Sequence, residues 1–198
     1  MYTLLTNHIK NILNKKPDIV IDENILINIQ DMWFLIDDNS RYDCLFKIVC
    51  IGKENTGKTT FCQTLEGKKN EYYLSTIGVD LHVKTFQSVI NNKIIALQIC
   101  DSSGQERFTT ITTSYLKTSR FVYFFYRDNK PEQDYINFIK KYSYDRCVFI
   151  CIKNKKNTHL QVLEPFSDFF LHFEVDVTCL DDIIALNSIM IETFYQYL

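Results

Sequence analysis

The chain has 198 residues, 46% of them apolar and 23% charged, with a net charge of −2. That length holds one ordinary domain with an appendage, that composition excludes wholesale disorder, and that charge gives no electrostatic reason for a nucleic-acid partner. Seven cysteines, an odd set lying mostly in apolar runs, read as small hydrophobes in a reducing cytoplasm rather than as a disulfide framework.

Residues 1–43 differ in texture from the rest. Leu5, Ile9, Ile12 and Leu13 fall at helical spacing, Pro17 interrupts, and Ile25, Ile29, Met32, Trp33 and Ile36 resume the spacing after Asp22, an N-cap residue. Two amphipathic helices are predicted, followed by a polar linker over 37–43. Trp33 then lies on an apolar stripe that either packs on its own domain, the commoner outcome, or docks a partner.

From residue 45 strands and helices alternate. "LFKIVCI" (45–51) reads as a strand and "TTFCQTLEG" (59–67) as a helix, while 79–90 and 93–100 form a hairpin about Asn91 and Asn92. Strands follow at 120–126, 146–152 and 172–177, with helices at 132–142, 160–171 and 181–197. The pattern predicts an α/β fold with a six-stranded, mainly parallel sheet, one antiparallel strand and helices on both faces. Ligands of such sheets bind at the carboxyl ends of the strands, in the loops that follow them.

The first such loop, "GKENTGKT" (52–59), satisfies G-x-x-x-x-G-K-[ST] between a strand and a helix. Its glycines Gly52 and Gly57 and the backbone N–H groups through Asn55, Thr56 and Thr60 suit a phosphate chain. Lys58 meets the outer phosphates and the Thr59 hydroxyl ligates Mg²⁺. Two further loops, "STIGVD" (75–80) and "CDSSGQERFTTITTSY" (100–115), narrow the class. With them the sequence resembles the Rab branch of the Ras-like small GTPases over about residues 45–198, so that 1–43 form a helical extension and linker and 44–198 a Rab-like G domain of P-loop, Ras-like topology. The resemblance implies that Thr76 completes the Mg²⁺ shell, Asp101 holds the metal through water, the Gly104 N–H senses the γ-phosphate and Gln105 orients the attacking water.

Several positions depart from the family pattern. "NKKN" (154–157) stands where the family has N-K-x-D, matching at Asn154 and at Lys155, whose stem would cover the base, and failing at Asn157. A carboxylate accepts from two guanine donors, whereas an amide offers one acceptor and one donor. Asn157 therefore leaves a guanine donor unmatched, at about 1–3 kcal/mol, and pairs better with the oxygen of xanthine. The loop is either a base reader with altered specificity or a solvated lysine-rich loop. "DVT" (176–178) replaces the family's last base loop, leaving the Val177 N–H to serve, and Tyr72 and Tyr73 lie near the spacing of the aromatic that flanks the base. Glu54 occupies a position where small residues are usual, so its carboxylate either crowds the γ-phosphate and Gln105, slowing hydrolysis, or faces solvent.

Of the aromatic cluster that Rab-like proteins present between their switch loops, Leu81, Cys100 and Tyr115 retain one ring, which argues against the usual effectors. No stretch approaches a membrane span, and no lipid address is expected at either end. The expectation is a cytoplasmic, monomeric, slow GTP hydrolase that alternates GTP and GDP with Mg²⁺ and engages effectors and regulators through residues 68–80 and 102–116, without a nucleic-acid partner or a lipid anchor of its own. Its rivals are a non-hydrolysing pseudo-GTPase that mimics the Rab shape, with xanthine-nucleotide preference, and a metabolic P-loop kinase, for which no second-substrate lid is seen.

Overall fold

A computed structural model describes residues 33–36, 41–68, 76–105, 109–128, 131–143, 147–163 and 171–195. Eight strands form one sheet: β1 (Trp33–Ile36), β2 (Cys44–Ile51), β3 (Val79–Ser88), β4 (Ile94–Ser102), β5 (Phe121–Tyr126), β6 (Val148–Asn154), β7 (Gln161–Val162) and β8 (Leu171–Val175). The spatial order is β1-β3-β4-β2-β5-β6-β8-β7. Its body, β4-β2-β5-β6-β8, is parallel, and β1, β3 and β7 are antiparallel to their neighbours. Among the described residues four helices accompany it: α1 (Lys58–Leu65), α2 (Thr109–Leu116), α3 (Gln133–Tyr142) and α4 (Leu180–Tyr195).

The apolar runs explain why the sheet is buried on both faces. Ile48 and Cys50 of β2 and Phe121, Tyr123 and Phe125 of β5 point to one side, where they pack with Phe61 and Leu65 of α1 and Leu186 and Met190 of α4. Their strand neighbours Val49, Ile51, Val122 and Phe124 point to the other, against Leu116 of α2 and Ile136 and Ile139 of α3. A strand alternates its side chains between faces, so a continuous apolar run is what a doubly covered parallel strand requires.

The architecture is the expected one, but the sheet has eight strands rather than six, and three segments correct the sequence reading. Trp33–Ile36, placed by their spacing in a helix of the N-terminal extension, form strand β1 paired with Thr85–Ser88. Trp33 is only 2% exposed and its Nε1–H donates to Glu192 of α4 at 2.8 Å. The segment is thus sealed to the domain by its own tryptophan, and the boundary at residue 43 does not separate it from the sheet. The helix expected over 160–171 is replaced at its start by β7. Helix α2, by contrast, had no counterpart in the sequence reading. The remaining expectations for residues 1–32, and those for Tyr72 and Tyr73, lie outside the described residues.

Candidate functional site

The carboxyl ends of β2, β4, β6 and β8 surround a cavity of about 470 Å³. Its floor is the loop between β2 and α1. Asn55 and Gly57 have φ of 64° and 104°, the left-handed backbone that turns successive N–H groups to one side. A side chain at Gly57 would collide with the Asn154 amide, so glycine is required by both conformation and space.

The loop is braced from several sides. Thr56 Oγ1 donates to the Lys53 carbonyl at 2.8 Å, and Asn154 Nδ2 donates to the Thr56 carbonyl at 3.0 Å. Arg127, which follows β5 and lines the cavity, donates to the Asn55 carbonyl at 3.0 Å. Lys58 is buried at the start of α1 and bonds the carbonyls of Gly52 at 2.9 Å and Lys53 at 2.7 Å. Burial pushes its pKa down, against the pull of Asp101 nearby. An ammonium held over a loop of N–H groups at a helix N-terminus, wrapped around a cavity, has the chemistry of a phosphate site.

Three oxygen-bearing side chains from separate elements meet beside it. Thr59 Oγ1 of α1 donates to Asp101 Oδ2 of β4 at 2.6 Å and lies 2.9 Å from Thr76 Oγ1, which is itself 3.3 Å from Asp101 Oδ2. Asp101 is fully buried, and burial pushes its carboxyl pKa up while Thr59, Lys58, His82 and Thr76 oppose the shift. Its Oδ1 has no hydrogen-bond partner among the described residues. A buried carboxylate with an idle oxygen, next to two hydroxyls, fits a hard divalent cation with retained waters.

After β4 the backbone passes close to the phosphate loop: a side chain at Gly104 would strike the Glu54 N and the Lys53 carbonyl carbon, which only glycine avoids. Tyr135 donates to the Gly104 carbonyl at 3.2 Å from the far side. Gln105 Nε2 donates to Glu54 Oε1 at 3.2 Å, so of the two placements open to Glu54 the structure has the one that engages Gln105.

The opposite end of the cavity departs from expectation. Val177 is buried, lines the cavity and lies beside Gly57. The Lys155 ammonium bonds Glu174 Oε1 at 2.9 Å, with Lys153 on the other oxygen at 2.7 Å, and Lys156 lines the cavity. Asn157 takes a left-handed turn at φ 58° with its side chain outside the cavity lining. Its N–H donates to Asp176 Oδ2 at 2.7 Å, and Asp176 Oδ1 accepts from the Thr178 N–H at 3.0 Å and from Thr178 Oγ1 at 2.6 Å. Asn154 reaches the phosphate loop rather than open space. Arg127, Lys156 and the Asp176 carboxylate were missed by sequence reasoning. Their one sequence signal is position, since each follows the carboxyl end of a sheet strand.

The geometry agrees with comparison to known proteins. Residues 47–157 match the family model described as Ras of Complex, Roc, domain of DAPkinase. Human Ras-related protein Rab-3A is 36% identical over 123 residues, 59% of this chain and 55% of that protein. The GTP-binding protein YPT1 of Saccharomyces cerevisiae is 41% identical over 105 residues, 52% of this chain and 48% of that protein. Human Ras-related protein Rab-3D is 33% identical over 136 residues, 66% of this chain and 61% of that protein. The chain matches about half the length of the first of these relatives. With a phosphate loop, a threonine–aspartate cluster and a glycine–glutamine turn at the ends of successive strands, the chain belongs to the Ras-like small GTPases as a divergent Rab-like member.

Proposed function

We propose that this chain is a guanine-nucleotide switch that binds GTP and GDP and hydrolyses GTP slowly. The single observation that carries the reading is the convergence of Lys58, Thr59, Thr76 and Asp101 at one end of a cavity of about 470 Å³. In this reading the N–H groups of residues 55–60 bind the phosphates, and Lys58 exchanges its loop carbonyls for phosphate oxygens. Thr59, Thr76 and Asp101 would hold Mg²⁺, which supplies charge neutralisation of the β- and γ-phosphates when bound. The Gly104 N–H senses the γ-phosphate, and Gln105 orients water for in-line attack once it leaves Glu54.

Thr76 and Gly104 lie within the segments whose order depends on the triphosphate, 68–80 and 102–116. Ile77 and Ile111 on those segments and Leu81 just past the first are 80%, 43% and 54% exposed, which supports an apolar surface for effector and regulator proteins. We assign the protein to the cytoplasm as a monomer acting on partners of membrane trafficking. No helix among the described residues is long and apolar enough to cross a membrane.

The Glu54 to Gln105 bond favours one second reading, a pseudo-GTPase that binds nucleotide and partners without turnover. Multiple-turnover phosphate release from GTP separates the two. A hydrolase exceeds its Gln105→Leu variant, and a pseudo-GTPase equals it.

A further inference from the structure

The position that reads guanine by a carboxylate in the family pattern holds Asn157, whose side chain does not line the cavity. An acidic residue does line that cavity, delivered by the neighbouring loop: Asp176, which directly follows β8 and is 9% exposed. Two donors from Thr178 saturate its Oδ1, at 3.0 and 2.6 Å. Its Oδ2 accepts one hydrogen bond among the described residues, the Asn157 N–H at 2.7 Å, and a carboxylate oxygen has two lone-pair directions. The acid is therefore fixed in orientation by three donors while keeping an acceptor site in hand.

We propose that Asp176 is the specificity-determining residue of this site, supplying to the guanine edge the negative acceptor that position 157 lacks. The inference rests on the guanine-nucleotide reading above. Guanine presents a ring N–H and an amino group side by side, both donors, and either suits an anionic acceptor. Xanthine has an oxygen in place of the amino group, and hypoxanthine has only hydrogen there. An acid at the base end repels the xanthine oxygen, so the amide at 157 does not convert the site to xanthine. Burial pushes the Asp176 pKa up, but the hydrogen bonds from Thr178 and Asn157 outweigh it and hold the group below the usual carboxylate value, so it is anionic at neutral pH. Asn157 is then a backbone partner of the reader rather than the reader.

The test is competition binding of GTP, ITP, XTP and ATP with Mg²⁺ on the full chain and on Asp176→Asn, a near-isosteric change. The wild type is expected to bind GTP more tightly than ITP, and ITP more tightly than XTP, with about tenfold or more between the extremes. Asp176→Asn is expected to weaken GTP by about tenfold and to leave XTP unchanged or improved. An equal fall for every nucleotide would make Asp176 a structural clamp and overturn the proposal. So would a wild type that prefers XTP, a comparison that needs no variant to fold. A wild type that binds GTP no better than ATP, or binds no nucleotide, would overturn the guanine reading itself.

Discussion

Glu54→Gly should accelerate GTP hydrolysis. In the structure Gln105 is held by Glu54 at 3.2 Å, and it must leave that partner before its amide can face an attacking water. A hydrogen bond to a charged acceptor contributes about 1.5–3 kcal/mol when shielded, and an exposed one less, so about 1 kcal/mol is the appropriate figure here. Removing that cost from the barrier is a factor of about five in rate. Single-turnover phosphate release from preloaded GTP measures the effect, with Glu54→Gln, which keeps an acceptor oxygen, expected to gain less. Equal rates for wild type and Glu54→Gly, with GTP bound equally well, would refute the reasoning and show that the contact does not restrain Gln105.

Other consequences follow from packing and charge. Trp33→Ala should cost about 3–5 kcal/mol in urea unfolding, because a fully buried indole and its bond to Glu192 are lost together. A loss under about 1 kcal/mol would mean that β1 is not sealed to the domain. Asn154→Ala should weaken all nucleotides by about ten- to a hundredfold through the freed Thr56 carbonyl, without changing their order in competition binding. Glu174→Gln tests the pairing with Lys153 and Lys155. Burial raises the Glu174 pKa, but the two lysines outweigh it and hold it below the ordinary 4.5. A depressed carboxylate stabilises above its unfolded pKa and loses that contribution as pH falls through the folded value. The variant should therefore melt below wild type at neutral pH, and the gap should close only at pH values under 4.5.

What could be read from the sequence follows from where the determining forces lie. The phosphate loop and the central strands were legible because their signals are local: two glycines, a lysine and a threonine at fixed spacing, and runs such as "FVYFFY" that suit only a doubly buried strand. Trp33–Ile36 were misread because four residues carry too little periodicity to separate helix from strand, and what decides is pairing with Thr85–Ser88, about fifty residues away. Helix α2 was missed because "TTITTSYL" is rich in β-branched threonine and weak in helical patterning, and tertiary packing of Leu116 and Thr112 fixes it. At the site, the motif marks Lys155 by position, but the bond of its ammonium to Glu174 on the adjacent strand depends on sheet pairing that the local sequence does not carry. Asp176 was read as the loss of a family side chain, since its meaning depends on meeting Asn157 and Thr178 in space.

Equilibrium competition of GTP, GDP and ATP for the full chain, with Mg²⁺ and again after chelation, tests the central claim most directly. A guanine-nucleotide switch binds GTP and GDP about a hundredfold or more tighter than ATP, and weakens for both when the metal is removed. ATP binding as tight as GTP, or affinity indifferent to Mg²⁺, would contradict the assignment of Lys58, Thr59, Thr76 and Asp101.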